Sequence, residues 1–142
     1  MKNVAVFNDS DFLFALYSSN DAHHLQSLKL ASLSEQYSFT AYLSLNVVQE
    51  VATLLSQRIS KNTSLQFLDS IYEADITLIY PDEMLVQKAE RIFREVKSKN
   101  VSYADCISFA IMEQYRIQWV LSFDIHFKKQ GFKRVGIDGM PK

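Results

Sequence analysis

The stretch "VAVFNDSDFLFALY", residues 4–17, sets two aspartates between two apolar runs. Residues 4–7 are apolar and β-rich without polar alternation, the pattern of a strand covered on both faces. From residue 11 to 18 the apolar side chains continue as a helix. Asp9 and Asp11 stand at the hinge, where burial should carry straight on. A buried strand that turns directly into a buried helix is the opening of a βαβ unit, and that reading fixes what to look for downstream.

The alternation continues. Asp21 can cap a second helix with Leu25, Leu28, Ala31 and Leu33 on its apolar side. Residues 39–43 form a second aromatic-rich strand. Residues 45–59 place Val47, Val48, Val51, Leu54, Leu55 and Ile59 at helical spacing, and Leu65, Leu68, Ile71 and Tyr72 mark a further helix. Residues 76–80 form a third strand, closed by Pro81. Asp82 can cap the next helix, whose apolar face carries Leu85, Ala89, Ile92, Phe93 and Val96. Residues 102–115 are helical, 119–123 a fourth strand and 132–137 a weak edge strand. Strands alternating with helices predict a three-layer α/β/α domain over residues 1–142, with a mostly parallel central sheet of four to five strands. Ligands in such folds bind outside the carboxyl ends of the strands.

Composition narrows the class. The 142 residues are 48% hydrophobic and 22% charged, enough to build a core, and only 3 Gly and 2 Pro interrupt the chain. A single cysteine, Cys106, excludes an internal disulfide and a multi-cysteine zinc site. The N-terminal apolar run stops at Asn8, too early for a secretory core, and no run approaches the ~20 residues of a membrane span. The expectation is a cytoplasmic protein without a membrane partner. The formal net charge is −1, so overall charge does not signal nucleic acid. The C-terminal segment is locally basic, with Lys128, Lys129, Lys133, Arg134 and Lys142 against Asp138 alone.

Four acids fall at the predicted functional edge. Asp9 follows the first strand and Asp124 the fourth. Glu50 lies in the second turn of the helix after the second strand, and Asp105 in the first turn of the helix before the fourth. Glu50 and Asp105 have apolar sequence neighbours, and a charge so placed is costly unless paired or bound to a cation. Gathering four acids also raises their pKa values unless positive charge is supplied. Carboxylates and water suit Mg²⁺ or Mn²⁺, which would remove that objection. Each acid has a plain structural reading as well. Asp105 with Ser102 makes a capping box, Asp9 or Asp11 can cap the first helix, Asp124 can start a turn, and Glu50 can reach solvent.

These segments resemble PIN domains. "NDSDFLFAL" is similar to the first PIN motif, "LNVVQEV" to the second, "SYADC" to the third and "VLSFDIHFKKQGF" to the fourth, in order along nearly the whole chain. Asn8 departs from the pattern, standing where the family has an apolar residue. The resemblance implies a metal-dependent ribonuclease, often the toxin of a VapC-type toxin–antitoxin pair. Motif by motif it places the catalytic, metal-ligating acids at Asp9, Glu50, Asp105 and Asp124, with Asp9 the foremost direct ligand. Ser10, Asp11 and Ser122 fall on supporting positions beside them. One or two Mg²⁺ or Mn²⁺ ions would serve phosphodiester hydrolysis. Lys128, Lys129, Lys133 and Arg134 are candidates for an RNA-binding rim. Partners implied are RNA and an antitoxin, and the apolar first helix could also form a homodimer or seat an antitoxin helix.

Two other classes compete. A catalytically silent PIN-like scaffold would keep the fold without binding metal. A phosphoacceptor receiver domain would use Asp82 after the third strand, but leaves Glu50 and Asp105 unexplained. His24 and His126 read as surface residues near acids rather than as ligands.

Overall fold

The computed structural model describes residues 3–141, so Lys142 of the basic tail lies outside the described residues. In chain order the elements are β1 (Ala5–Asn8), α1 (Ser10–Tyr17), α2 (His24–Gln36), β2 (Thr40–Ser44), α3 (Leu45–Arg58), α4 (Lys61–Glu73) and β3 (Ile76–Ile79). There follow α5 (Glu83–Glu95), α6 (Tyr103–Gln114), β4 (Trp119–Leu121), α7 (Ile125–Lys129) and β5 (Lys133–Arg134). All five strands pair in parallel, in the order β3-β2-β1-β4-β5. Parallel neighbours need crossovers, and the helices supply them while covering both faces of the sheet.

Successive side chains of each strand serve opposite layers, as the strand period of two requires. Phe7, Leu43 and Val120 join the larger core, with Val47, Val51 and Leu55 of α3 and Phe109 to Met112 of α6. Val6 and Leu121 join the smaller core with Phe12 and Leu30. Asn8 ends β1 buried, and its amide donates to the Tyr42 carbonyl (3.1 Å), so the polar departure in the strand closes a neighbouring backbone acceptor.

Two helices turn differently from their sequence reading. On α2, Leu25 is 80% exposed and Leu28 is exposed, whereas Leu30 and Ser27 are buried. Four leucines spread around this helix leave its inner face ambiguous. Ser27 tolerates burial because its hydroxyl donates to the His24 carbonyl (2.6 Å). On α4, Leu65 and Tyr72 are exposed, and Ser64, Phe67 and Ile71 pack inward. Asp21 does not cap α2 from the N-cap position. It accepts the His23 amide (2.8 Å) and seals the turn before the helix.

The strand order positions the site. The chain builds β1, β2 and β3 in one direction, then returns to place β4 on the other side of β1. The reversal lies between β1 and β4, so the segments leaving these strands diverge and open a crevice at their carboxyl ends. Asp9 and Ser122–Asp124 stand at that point. Asp82 lies beyond β3, two strands away from β1, and its carboxylate caps α5 through the Leu85 amide (2.9 Å). That position removes the receiver reading.

Candidate functional site

Asp9 leaves β1 rigidly, because its amide still donates to Leu121 of β4 (3.1 Å). It occupies the N-cap position of α1 in extended conformation, yet its carboxylate makes no cap bond. That carboxylate instead accepts the Ser122 hydroxyl (Oδ2, 2.7 Å), and Asp9 is 4% exposed. The Ser122 oxygen in turn accepts the Asp124 amide (3.0 Å). One buried hydroxyl therefore links the acids that follow the two central strands.

Asp11 fixes the same loop from the other side. Its carboxylate accepts the Phe123 amide (3.1 and 3.3 Å), while Arg134 donates to the Phe123 carbonyl (3.2 Å). Arg134 is buried, and its other donors are held by Asp138 at 2.9 and 3.1 Å. The expected basic rim is corrected here: Arg134 is a buried brace and not an exposed contact. Lys128, Lys129 and Lys133 remain exposed, with Lys128 reaching Asp138 at 3.8 Å and Lys133 lying over the Trp119 ring.

Asp105 and Ser102 form the capping box of α6, each accepting the other's amide at 2.9 Å. Asn46, at the start of α3, donates to the Ala104 carbonyl (3.2 Å) and to Ser108 (3.3 Å), clamping α3 to α6 beside Asp105. Asp124 caps α7 through the His126 amide (2.9 Å) and also meets the His126 ring (Nδ1, 2.7 Å). His24 bonds the Ala15 carbonyl (2.6 Å) and holds the α1–α2 turn.

Electrostatics bind four of these acids into one unit. Burial, then the negative charge of Asp11, hold the Asp9 carboxyl well above the ordinary range, against the Ser122 hydrogen bond. Burial pushes Asp11 up to about 6, with the Phe123 amide opposing and Asp124 adding to the rise. Burial also raises Asp105, Asp124 contributing. The guanidinium of Arg134 feels Asp124 and Asp11, but its main partner is Asp138. The group is short of positive charge.

Of its two sequence readings, Glu50 takes the one that reaches solvent. It is exposed, because Val47, Val48, Val51 and Leu55 take the inner face of α3. It lines a cavity of about 230 Å³ shared with Ser10 and Asp11. Among the described residues, no three Asp, Glu, His or Cys side chains already converge on one ion. One oxygen each of Asp9, Asp105 and Asp124 is engaged by Ser122, the Ser102 amide and the His126 amide. The donor set nonetheless suits a hard cation, being all oxygen, negatively charged and partly desolvated.

No helix among the described residues is long and apolar enough to cross a membrane. The chain is 27% identical over 127 residues to the VapC ribonuclease of Archaeoglobus fulgidus, covering 87% of this chain and 80% of that one. Its fold is similar to the crystal structure of VapC20 of Mycobacterium tuberculosis, a Sarcin-Ricin loop cleaving toxin (TM-score 0.83, 24% identity, 92% of this chain and 98% of that one). It is also similar to VapBC2 of Rickettsia felis bound to a promoter DNA fragment (0.66, 13%, 93% and 98%) and to FitAcB of Neisseria gonorrhoeae (0.63, 12%, 96% and 96%). The PIN domain profile matches residues 6–133, and on that match the chain belongs to the PIN domain family.

Proposed function

We propose that this chain is a metal-dependent endoribonuclease of the VapC toxin type, held in check by an antitoxin. The observation that carries the reading is the buried Asp9 carboxylate. It occupies a helix N-cap without capping, sits among acids that raise its pKa, and receives no cation from Arg134. A stable charged state there calls for a bound cation.

Asp9, Asp105 and Asp124 would hold Mg²⁺ or Mn²⁺ through the oxygens left outside their present bonds, with Glu50 reaching in from α3. The ion supplies positive charge for water activation and for the developing charge on phosphorus. Ser122 orients Asp9 and keeps Asp124 in register with it. Asp11 and Arg134 fix the Phe123 backbone so that Asp124 is presented at a constant distance. Lys128 and Lys129 stand exposed on α7, which follows Asp124, and each phosphate they meet offsets repulsion from the acids. Lys133 opens β5 against Trp119, at the amino end of the sheet, and is left out of this rim. The reading as a toxin with an antitoxin rests on the VapC relative and on the VapBC2 and FitAcB likenesses.

The test is incubation of purified protein with RNA and Mn²⁺, with and without EDTA, beside Asp9→Asn and Asp105→Asn. EDTA-sensitive cleavage that both substitutions abolish is expected. Cleavage surviving either one overturns the site. One observation favours a silent scaffold instead, namely that capping bonds already engage the acids of α6 and α7. Absence of both cleavage and calorimetric Mn²⁺ binding would decide for it.

A further inference from the structure

His23 sits in the turn before α2, exposed, with its ring stacked on Phe123 (centroids 4.2 Å apart, planes 11° apart). Phe123 packs against the smaller core, and its backbone is held on both sides by Asp11 and Arg134. The His23 amide is itself tied to Asp21. An exposed ring thus stands on a fixed support directly beside the catalytic acids. His23 lines the 230 Å³ cavity with Ser10, Asp11, Asp21, Glu50 and Arg58, while Phe123 backs it from outside that lining.

We propose that this cavity seats one nucleobase of the RNA, stacked on the free face of His23, next to the phosphate that is cut. The proposal rests on the ribonuclease reading and names a specificity element within it. The cavity is smaller than the ~300–1,000 Å³ typical of drug-sized ligands, a scale suited to one base and not to a folded segment. Its charges choose between the parts of a nucleotide. Asp11, Asp21 and Glu50 face a single cation, Arg58, whose guanidinium already lies 5.7 Å from the Phe14 ring centroid. A phosphate gains little in such surroundings, whereas a neutral base meets a stacking ring and carboxylate acceptors. Single-stranded RNA is read by this combination of aromatic stacking and base-edge hydrogen bonding. Acceptor-only carboxylates suit bases that carry exocyclic amino groups, so adenine, cytosine and guanine are preferred to uracil.

The experiment is fluorescence polarisation with labelled octamers of adenylate, of uridylate, and of a base-free sugar–phosphate chain, in EDTA to prevent cleavage. Charge repulsion is common to all three chains, so their affinity ratios isolate the base. The adenylate octamer is expected to bind on the order of tenfold tighter than the base-free chain, with uridylate between them. His23→Ala should bring the adenylate to base-free ratio close to unity, and His23→Tyr should keep it. An unchanged ratio in His23→Ala, equal weakening of all three chains, or no ratio in the unsubstituted protein overturns the proposal. Cleavage in Mn²⁺ is read separately, so absence of the ratio in the unsubstituted protein, with its cleavage intact, refutes the base seat and leaves the nuclease reading standing.

Discussion

Asp11→Asn should stabilise the metal-free protein, and only above mildly acidic pH. Asp11 has its carboxyl raised from the ordinary 3.8 to about 6, chiefly by burial, with the charge of Asp124 adding to it. In the unfolded chain the group loses its proton near 3.8. The folded chain keeps it to about 6. Between these values the native state binds more protons, so stability falls as pH rises, and the penalty is complete above the folded value. A rise of about 2 units at 1.36 kcal/mol each corresponds to about 3 kcal/mol. Asparagine is nearly isosteric, keeps an acceptor for the Phe123 amide and carries no charge. It also relieves Asp9, whose own pKa Asp11 helps to raise. The expected gain is about 2–3 kcal/mol at pH 7.5 and close to none at pH 4, where aspartate is largely protonated in the folded protein. Urea denaturation in EDTA at the two pH values reads both numbers from midpoints at constant m. Repeating the pH 7.5 arm with Mn²⁺ should shrink the gain, because a bound cation removes the repulsion. A gain at pH 4 as large as at pH 7.5 would refute the electrostatic reasoning and assign the effect to packing.

Ser122→Ala should lower cleavage by about 10–100-fold, the usual cost of removing a hydroxyl that orients a metal-binding carboxylate, measured as initial rate over a Mn²⁺ titration. Arg134→Ala breaks a pair whose side chains are 10% and 8% exposed and should cost about 3–5 kcal/mol in denaturant unfolding; Arg134→Lys should not restore it, since an ammonium cannot replace the bidentate fork. Asp138, lowered to about 2 mainly by its Arg134 hydrogen bond, contributes stability that is present above its unfolded value and lost as pH falls towards 2; acid titration of Asp138→Asn should show a smaller loss over that window. Gly136 has φ +77°, and an added Cβ would meet Leu30 Cδ2 at 2.7 Å, so Gly136→Ala should destabilise by about 2–3 kcal/mol, checked by the same denaturation assay.

The parallel sheet was legible because its strands are short unbroken apolar runs, and because so few breakers leave helices as the only connectors. The helix faces were less so. Leu25 and Leu28 look like core residues until Leu30 and Ser27 are seen to take that place. A serine that bonds its own helix backbone carries no hydropathy signal. At the site, Asp9, Asp105 and Asp124 could be picked out because each abuts a strand end or helix start. Asp11 was under-read, since no spacing rule shows that a carboxylate will receive an amide 112 residues later. Arg134 was misplaced for the same reason. Counting basic residues cannot reveal that Asp138, one helical turn's distance along the chain, holds it inside a bend. His23 and Arg58 were missed altogether. One is a polar residue in a turn and the other ends an ordinary helix, and only the folded α1–α2 turn and the packing of α3 on α1 bring them to the edge of the acids.

Where local rules are broken is itself informative. Ser60, Asp82, Ser102 and Asp124 each satisfy a backbone amide at the start of the helix they precede. Asp9 occupies the same kind of position and withholds its carboxylate, at a cost of about 1 kcal/mol for a missing cap. The same carboxylate is buried beside Asp11, which adds an electrostatic penalty no capping role requires. A sequence selected for stability alone would place serine or asparagine there and would not set a second acid two residues later. The two penalties coincide at the one crevice that the order β3-β2-β1-β4-β5 creates, and the buried Ser122 hydroxyl joins that crevice's two sides. Strain placed there, while the other acidic helix starts remain ordinary caps, is why the proposed chemistry rests on Asp9 and not on Asp82.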